Sequence, residues 1–473
     1  MLGFACGVAA QKTTIMALDD STETQVGLSF GVSKPNEAIL PQAGEGSLGG
    51  AVEIRSRHNI GRDKKHRVWG KAFYYNGEID NVSWNEVSDW QLLYPYLAAD
   101  SIGGDMKTEV YFFDGGYAYR GKRVVAGGEL TYNARQDYRQ VDPRPRNVVA
   151  DFNVAAFVGA RLGGQALSLE GRLRRYKQTD DIDYFGELGN SMTYHLNGMG
   201  EHYYRFKGTN NDIHYRGTGG GCSLSFLPYN DSLDKSGFVA VASYDYLNIE
   251  KLLTTLNNLT MSDLKTHSVA LSLGYERKDW RVLVNGTFSR KIGTEHMYSD
   301  AVNNEYPELF EVDMFFETAK GVNLSYIHRL VMGRLNIKFN ANCGYRDTKY
   351  SYASPAKEMN ASHLCPVLRV EASAPVVKRL TVTAAAAGFC EYALDKDFSF
   401  SSLPENEGLA YLLERERDVL FASRYGAQCL LRFDVFTGWK GVGVFLEGRG
   451  MYVEYSGISA HEFSGVISAG ITL

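Results

Sequence analysis

Histidine side chains come nearest to a metal-binding or catalytic group in this sequence. His195, His202 and His214 lie close together in the chain, and Glu201 and Tyr203 flank the second of them. Their spacings of seven and twelve residues match no zinc motif. The spacing therefore predicts solvated loop histidines rather than a metal site.

Other chemistry-bearing motifs are weak. His296 stands beside Met297, ligand types that could contact a metal or haem, but ligand type alone gives this little weight. Residues 217–221 read Gly-Thr-Gly-Gly-Gly without the Gly-Lys-Ser/Thr of a phosphate-binding loop, which predicts a bend or close approach in a strand. No Gly-x-Ser-x-Gly elbow supports a hydrolase. We expect no catalytic residue, metal or cofactor, and no enzyme.

Composition favours many strands joined by tight turns. The 473 residues include 30 Tyr, 24 Phe and 49 Gly, but only 11 Pro. A formal net charge of -5 argues against nucleic-acid binding, which usually needs a basic face. No segment approaches the roughly 20 apolar residues of a transmembrane helix. If the chain crosses a membrane, it must do so as a closed barrel, because lipid cannot satisfy open strand edges.

Alternation with a period of two residues is the decisive pattern. Between residues 335 and 345 every second residue is apolar or aromatic, whereas the intervening positions are Asn, Lys or Gly, as in a strand with lipid on one face and a lumen on the other. A soluble β-sandwich also alternates and is the competing interpretation. The strands expected here run to 11–15 residues, longer than the roughly 5–6 residues typical of strands.

Short and long connections alternate along the chain, as in outer-membrane barrels with short periplasmic turns and long extracellular loops. The short turns are predicted at residues 120–122, 163–164, 277–279, 330–333, 375–378 and 436–440. The long connections are predicted at residues 136–146, 179–211, 291–312, 347–362 and 394–419.

Strand parity predicts the size of the barrel. Fifteen strands are expected from Asp105 to the C-terminus, and residues 67–78 supply one more, which gives sixteen with both termini in the periplasm. Residues 24–32 and 48–57 form a further possible pair, which would give eighteen. The fold class predicted is all-β: a transmembrane antiparallel up-and-down β-barrel with long extracellular loops.

The N-terminal residues 1–10 resemble the end of a signal peptide, with Val8-Ala9-Ala10 before a cleavage site at Gln11. The usual basic leader is missing, so this is read as a partial signal; an apolar strand is the alternative. Residues 11–473 then form one barrel domain, in which residues 11–66 are either N-terminal strands or a plug.

Charged residues of both signs are expected on the lumen face. They could form a transverse field that steers polar solutes through an open pore, or they could pair across the lumen of a plugged barrel. The lumen candidates are Glu129, Arg135, Asp151, Arg161, Glu170, Arg172, Arg174, Lys338, Arg369, Glu371, Glu447 and Arg449.

Three loop motifs resemble an uncharacterised outer-membrane β-barrel family of Bacteroidota. They are Trp84-Asn85-Glu86-Val87-Ser88-Asp89, Tyr94-Pro95-Tyr96 with residues 99–105, and Asp142-Pro143-Arg144-Pro145-Arg146-Asn147. The resemblance implies no agreed activity, although such proteins are suspected of working beside TonB-dependent transporters. From the residues alone, the motifs indicate either loop architecture or contact with a ligand or partner.

These observations predict a protein of the cell outer membrane that acts as a channel or as an accessory of nutrient uptake, with an unknown substrate. A structural or surface-binding barrel with a closed lumen is the second hypothesis, and an outer-membrane hydrolase is the third. The expected partners are outer-membrane lipid and lipopolysaccharide, the barrel-insertion machinery and a TonB-dependent transporter, but no nucleic acid.

Overall fold

The computed structural model describes residues 22–185, 192–208, 212–229, 236–303, 305–438 and 441–473. The predicted signal segment, residues 1–10, lies outside the described residues. Most of the described chain is strand, and two α-helices occur, α1 (Trp90–Leu93) and α2 (Glu407–Phe421). No helix among the described residues is long and apolar enough to cross a membrane.

The strands are numbered in chain order. They are β1 (Glu23–Pro35), β2 (Gly46–Ile60), β3 (His66–Val82), β4 (Ala98–Ala99), β5 (Gly104–Arg120), β6 (Val124–Arg139), β7 (Arg144–Leu162), β8 (Gln165–Asp183), β9 (Tyr194–Gly198), β10 (Glu201–His202), β11 (Ile213–Pro228), β12 (Gly237–Leu253), β13 (Leu259–Glu276), β14 (Trp280–Tyr298), β15 (Glu308–Met332), β16 (Leu335–Tyr352), β17 (Lys357–Val377), β18 (Leu380–Phe400), β19 (Ser423–Phe436), β20 (Gly443–Ser456) and β21 (Ala460–Thr472).

Eighteen of these strands form one closed antiparallel barrel, and the other three, β4, β9 and β10, form a separate small sheet. Each barrel strand pairs with the next barrel strand along the chain, and β1 pairs with β21 to close the ring. This confirms the predicted up-and-down barrel. The N-terminal hairpin of β1 and β2 joins the wall, so the count is eighteen rather than sixteen.

The outer face of the barrel carries a belt of exposed apolar side chains. Leu173 is 72% exposed, Ile467 is 65% exposed and Leu28 is 62% exposed. A soluble monomer rarely leaves a contiguous apolar surface of this extent open to water. Large apolar side chains elsewhere in the belt include Phe113, Leu130, Val154, Leu224, Leu271, Val284, Leu324, Leu368, Leu431 and Leu446.

Aromatic residues border this belt at two levels. At the end of the barrel that holds the chain termini, Tyr117 and Tyr119 face outward beside His66. Near the middle of β3 and β5, on the side of the belt that faces the opposite end, which we call the loop end, Tyr74 and Tyr111 pair across neighbouring strands with ring centroids 4.9 Å apart. Two aromatic girdles that flank an apolar band are typical of barrels in a lipid bilayer.

Several of the predicted long loops are instead strand. Residues 136–146 contain a connection of only residues 140–143, because β6 continues to Arg139 and β7 begins at Arg144. The segments 291–312 and 347–362 are likewise shortened by extensions of β14 to β17, and 394–419 contains helix α2. These extensions carry polar residues on both faces because they project beyond the apolar belt, so the alternation on which the prediction depended is absent there.

Candidate functional site

The lumen at the loop end is occupied by three chain segments. We call them together the cap: residues 83–103 between β3 and β5, residues 192–208 between β8 and β11, and residues 401–422 around α2. The cap contacts inward-facing residues of most strands from β6 to β17, as the hydrogen bonds below show. It therefore fills the mouth of the barrel rather than standing above it.

Apolar side chains hold the cap together. Trp84, Val87 and Leu97 from the first segment and Leu196 from the second join one buried cluster, to which Leu409 of α2 also belongs. All five are at most 6% exposed. The burial of these side chains stabilises the inward-folded position of each segment, because every large apolar side chain that is removed from water contributes roughly 1.5–3 kcal/mol of free energy.

A small antiparallel sheet forms the centre of the cap. In this sheet β4 pairs with β9, and β9 pairs with β10. It is separate from the eighteen-stranded sheet of the wall. Among the described residues, the cap sheet is therefore joined to the wall by side chains and apolar contacts, not by strand pairing.

Arg139 at the end of β6 makes a fully buried polar contact between the wall and the cap. Its Nη2 lies 2.6 Å from Asp100 Oδ2 and 3.8 Å from Glu86 Oε1, and all three side chains are fully buried. Its Nε donates to the carbonyl of Pro143 at 2.8 Å, and Nη1 donates to that of Val82 at 3.4 Å. One guanidinium thus joins the wall, the β6–β7 turn and the first cap segment.

Asp100 also organises the cap backbone. Its Oδ1 accepts hydrogen bonds from the backbone N–H groups of Ile102 and Gly103, each at 2.8 Å. Asn147 on β7 adds a further tie, since its Nδ2 donates to the backbone carbonyl of Glu86 at 2.6 Å. The three motifs that carry the family resemblance therefore meet at this one place.

Two buried lysines of the wall bind carbonyl groups of the cap. Lys251 Nζ donates to the Leu97 carbonyl at 2.8 Å. Lys357 Nζ donates to the Met199 carbonyl at 2.9 Å and to Glu201 Oε1 at 2.5 Å. Because a buried ammonium is costly unless it is hydrogen-bonded or paired, these contacts fix both cap segments to the wall.

Tyrosine and carboxylate side chains of the wall form further hydrogen bonds with the cap. Glu295 accepts hydrogen bonds from Asn197 Nδ2 at 2.9 Å and from Tyr352 OH at 2.8 Å. Tyr215 OH donates to the Tyr96 carbonyl at 2.9 Å. These contacts come from β11, β14 and β16, so the wall holds the cap from several directions.

Two cap carboxyl groups are withdrawn from water, Glu86 completely and Glu416 in part. Burial raises the pKa of Glu86 well above its ordinary value, and the neighbouring Asp100 raises it further. Burial also raises the pKa of Glu416 on α2 to about 7. Glu416 is hydrogen-bonded to Tyr94 OH at 3.0 Å and to Gln42 Nε2 at 3.2 Å. Such groups inside a packed cluster are a cost to stability, which makes them candidates for a functional role.

All twelve predicted lumen residues lie on the inner face of the wall, by the register of each strand with its neighbours. The ion pairs described for them run along the wall, apart from one between Arg135 and the cap. Arg174 pairs with Asp151 on the neighbouring strand at 2.9 Å, and Arg369 pairs with Glu371 of its own strand at 3.1 Å. Arg172 pairs with Glu170, Arg449 pairs with Glu447, and Arg135 pairs both with Asp137 of its own strand and with Asp89 of the cap. Glu129 accepts a hydrogen bond from Trp69, and Arg161 donates one to the Gly121 carbonyl.

Below the cap the inner wall is accessible to water over part of its circumference. The side chain of Arg449 is 54% exposed, and Lys338 is exposed as well. On the other side of the barrel, an apolar cluster that includes Phe157 and Leu283 lines the lower wall. The barrel thus has a capped loop end and a partly charged, water-exposed chamber towards the end that holds the termini.

The histidine prediction is partly wrong. His195 is a buried residue of β9 within the cap rather than a solvated loop residue. His202 is half-buried and stacks edge-on against Tyr194, while His214 is half-buried on β11.

Sequence reasoning missed the residues that attach the cap. Arg139, Lys251 and Lys357 were not singled out, because a lone basic residue near a strand end looks like a solvated loop flank. The sequence carried one signal of the cap. The connection between β3 and β5 contains Leu92, Leu93 and Leu97, which are more large apolar residues than a solvated connection usually has.

Comparison with protein families identifies the relationship of the chain. The model of a family of unknown function, DUF6850, matches residues 13–473. The chain belongs to this family. The match confirms the predicted resemblance to an uncharacterised family, and the Bacteroidota origin stays a prediction. No curated protein sequence matches the chain.

Solved structures that resemble this family member include two receptors and a transporter. BauA, the ferric preacinetobactin receptor of Acinetobacter baumannii, has 9% identity and a TM-score of 0.37, over 95% of this chain and 80% of that one. A mutant of the ferric enterobactin receptor PfeA of Pseudomonas aeruginosa has 7% identity and a TM-score of 0.39, over 95% and 81%. The copper transporter OprC has 7% identity and a TM-score of 0.36, over 96% and 81%. At these values no function is carried over.

Proposed function

We propose that this protein is an outer-membrane β-barrel that serves nutrient uptake as a channel closed at rest by its own cap, without enzymatic activity. The apolar belt and its two aromatic girdles support the membrane location, because a bilayer is the environment that such a surface requires. The loop end then faces outward and the termini face the periplasm. Lipid and lipopolysaccharide would surround the belt, and the barrel-insertion machinery would place it there.

The observation that carries this proposal is the way in which the cap is attached. The cap sheet pairs only with itself, and it is separate from the wall sheet. Its polar ties to the wall are side-chain contacts from Arg139, Lys251, Lys357 and Glu295. Side-chain ties can be exchanged without breaking the barrel, whereas a plug that shared strands with the wall could not move alone.

The chamber below the cap supports a transport role over a purely structural one. Charged side chains that remain in contact with water can tune which solutes pass, but only when a path opens. A barrel built only to display loops has no need of an exposed charged chamber under a separable cap.

Planar-bilayer recording of the purified protein tests the proposal. The wild-type protein should show a closed state with rare openings, and the double variant Lys251→Met/Lys357→Met should open far more often because both lysines bind cap carbonyls. Lys338→Met is the matched control, since Lys338 lies in the lower chamber; it should gate like the wild type. If neither the wild type nor the double variant conducts, the barrel is a closed structural protein.

The proposal includes work beside a TonB-dependent transporter in the same membrane. A barrel closed at rest cannot supply steady uptake alone, so an energised partner is the expected means of opening it. Pull-down from outer membranes solubilised in mild detergent should recover such a transporter with the wild-type chain. Conductance without any recovered transporter would reduce the proposal to a self-contained channel.

A further inference from the structure

We propose that the outer face of the barrel, beyond the apolar belt at the loop end, holds a divalent transition-metal site formed by Asp263, His296 and Glu311. The three residues belong to three consecutive strands, β13, β14 and β15. One ligand atom from each lies within 4.8 Å of the other two.

The strand register brings these residues together. His296 is the direct cross-strand partner of Glu311, and Asp263 is opposite Thr294, two residues before His296 on the same face. Residues of the same parity lower on these strands, Val269 and Phe288, are exposed in the apolar belt. The three side chains therefore face outward, away from the lumen, while the backbone carbonyl of His296 accepts a hydrogen bond from Tyr203 OH of the cap at 3.0 Å.

The imidazole of His296 is oriented as a metal ligand. Its Nδ1 lies 2.8 Å from Glu308 Oε1, while Nε2 lies 2.9 Å from Asp263 Oδ2 and 4.0 Å from Glu311 Oε2. A carboxylate on one ring nitrogen is the usual outer partner of a metal-bound histidine, because it fixes the ring and makes the other nitrogen a better donor. His296 is also 93% buried, which limits the freedom of its ring.

The spacing suits a small divalent ion after modest movement. In a tetrahedral site with bonds of about 2.0–2.1 Å, ligand atoms lie about 3.3 Å apart. The Nε2 to Asp263 distance of 2.9 Å must lengthen slightly, and the 4.0 Å to Glu311 must shorten. The Glu311 side chain is 64% exposed, so it is free to make that movement.

The charge around His296 favours a cation. Asp263, Glu308 and Glu311 each lie within 4.0 Å of this imidazole, and Asp313 on the same strand as Glu311 accepts a hydrogen bond from Thr294 Oγ1 at 2.7 Å. Within the described part of the chain, none of these four carboxylates forms an ion pair with a lysine or arginine. An imidazole nitrogen with carboxylates selects Zn²⁺ or a similar ion over Ca²⁺ or Mg²⁺, which prefer oxygen alone.

Calorimetric titration of the detergent-purified full chain, with any affinity tag removed, tests the site with Zn²⁺ alone. One Zn²⁺ should bind per chain, and His296→Gln should weaken binding by at least about 100-fold, as should Asp263→Asn. Glu308→Gln should weaken it by about 10–100-fold, because Glu308 acts only on the outer nitrogen. His267→Gln is the matched control on the same outer face, where His267 contacts Tyr244; it should bind like the wild type.

Glu311→Gln protects the test against misfolding, since this exposed residue is not needed for packing. It should lower the affinity while the barrel keeps its normal gel mobility before heating. Titration with Co²⁺ should give a visible absorption band in the wild type and none in His296→Gln. Absence of Zn²⁺ binding by the wild type, wild-type affinity in His296→Gln, or equal displacement by Ca²⁺ would each overturn the proposal. None of these readouts depends on conductance, so their failure is distinct from failure of the proposed channel.

Discussion

Replacement of Arg139 by alanine is expected to release the cap from the barrel wall. The substitution removes a guanidinium that lies 2.6 Å from Asp100 and 3.8 Å from Glu86, and both carboxyl groups stay fully buried. Removal of one partner from a buried ion pair typically costs about 3–5 kcal/mol, because the other charge is left without compensation. A cost of about 3 kcal/mol would raise the population of the released cap by roughly 100-fold.

Hydrogen exchange of the cap amides measures this release directly. In Arg139→Ala the backbone amides of Ile102 and Gly103, which Asp100 holds, should exchange roughly 100-fold faster. Arg174→Ala is the control, because it breaks a wall pair with Asp151 that touches no part of the cap. The triple variant Arg139→Met/Glu86→Gln/Asp100→Asn should recover much of the protection, since no buried charge remains uncompensated. Equal exchange in Arg139→Ala and Arg174→Ala would refute the reasoning.

Two further predictions concern the cap. Because burial raises the pKa of Glu416 to about 7, above its unfolded value near 4.5, the folded cap holds a proton that the unfolded chain releases. Cap stability should therefore fall by about 3 kcal/mol as the pH rises from about 4.5 to about 7 and stay level above it, measured by hydrogen exchange, and Glu416→Gln should remove the dependence. Gly293→Ala should also loosen the cap, because the added Cβ would lie 2.3 Å from Tyr96 OH; a crystal structure with Tyr96 unmoved would contradict this.

Alternation in the sequence predicted the wall well, for a physical reason. Lipid on one side and lumen on the other impose opposite demands on successive residues. The sequence of a strand such as β16 therefore alternates between apolar and polar residues, and this alternation can be recognised without a structure. By strand register, the twelve charged residues that this rule singled out face inward. It failed beyond the belt, where both faces meet water or the cap, and there β14 to β17 run farther than the pattern indicated.

The cap could not be predicted from the same reasoning. Apolar residues such as Leu93 and Leu97 indicate that a loop is buried, but they do not say against which strands it packs. The ties from Lys251 and Lys357 depend on where the closed ring places each strand relative to the loop. The ligands of the proposed metal site at His296 could not be predicted from the sequence either, because they are far apart in the chain and meet only through strand register.

Accessibility of a cysteine in the lower chamber tests the central claim most directly, namely that the cap closes the loop end while the chamber below it stays open. Lys338→Cys places a thiol on the exposed lower wall, with the parent chain as background for its native cysteines. A membrane-impermeant maleimide should label it from the periplasmic side but not from outside intact cells, and Arg139→Ala in the same chain should allow labelling from outside. Equal labelling from both sides with the cap intact would contradict the account.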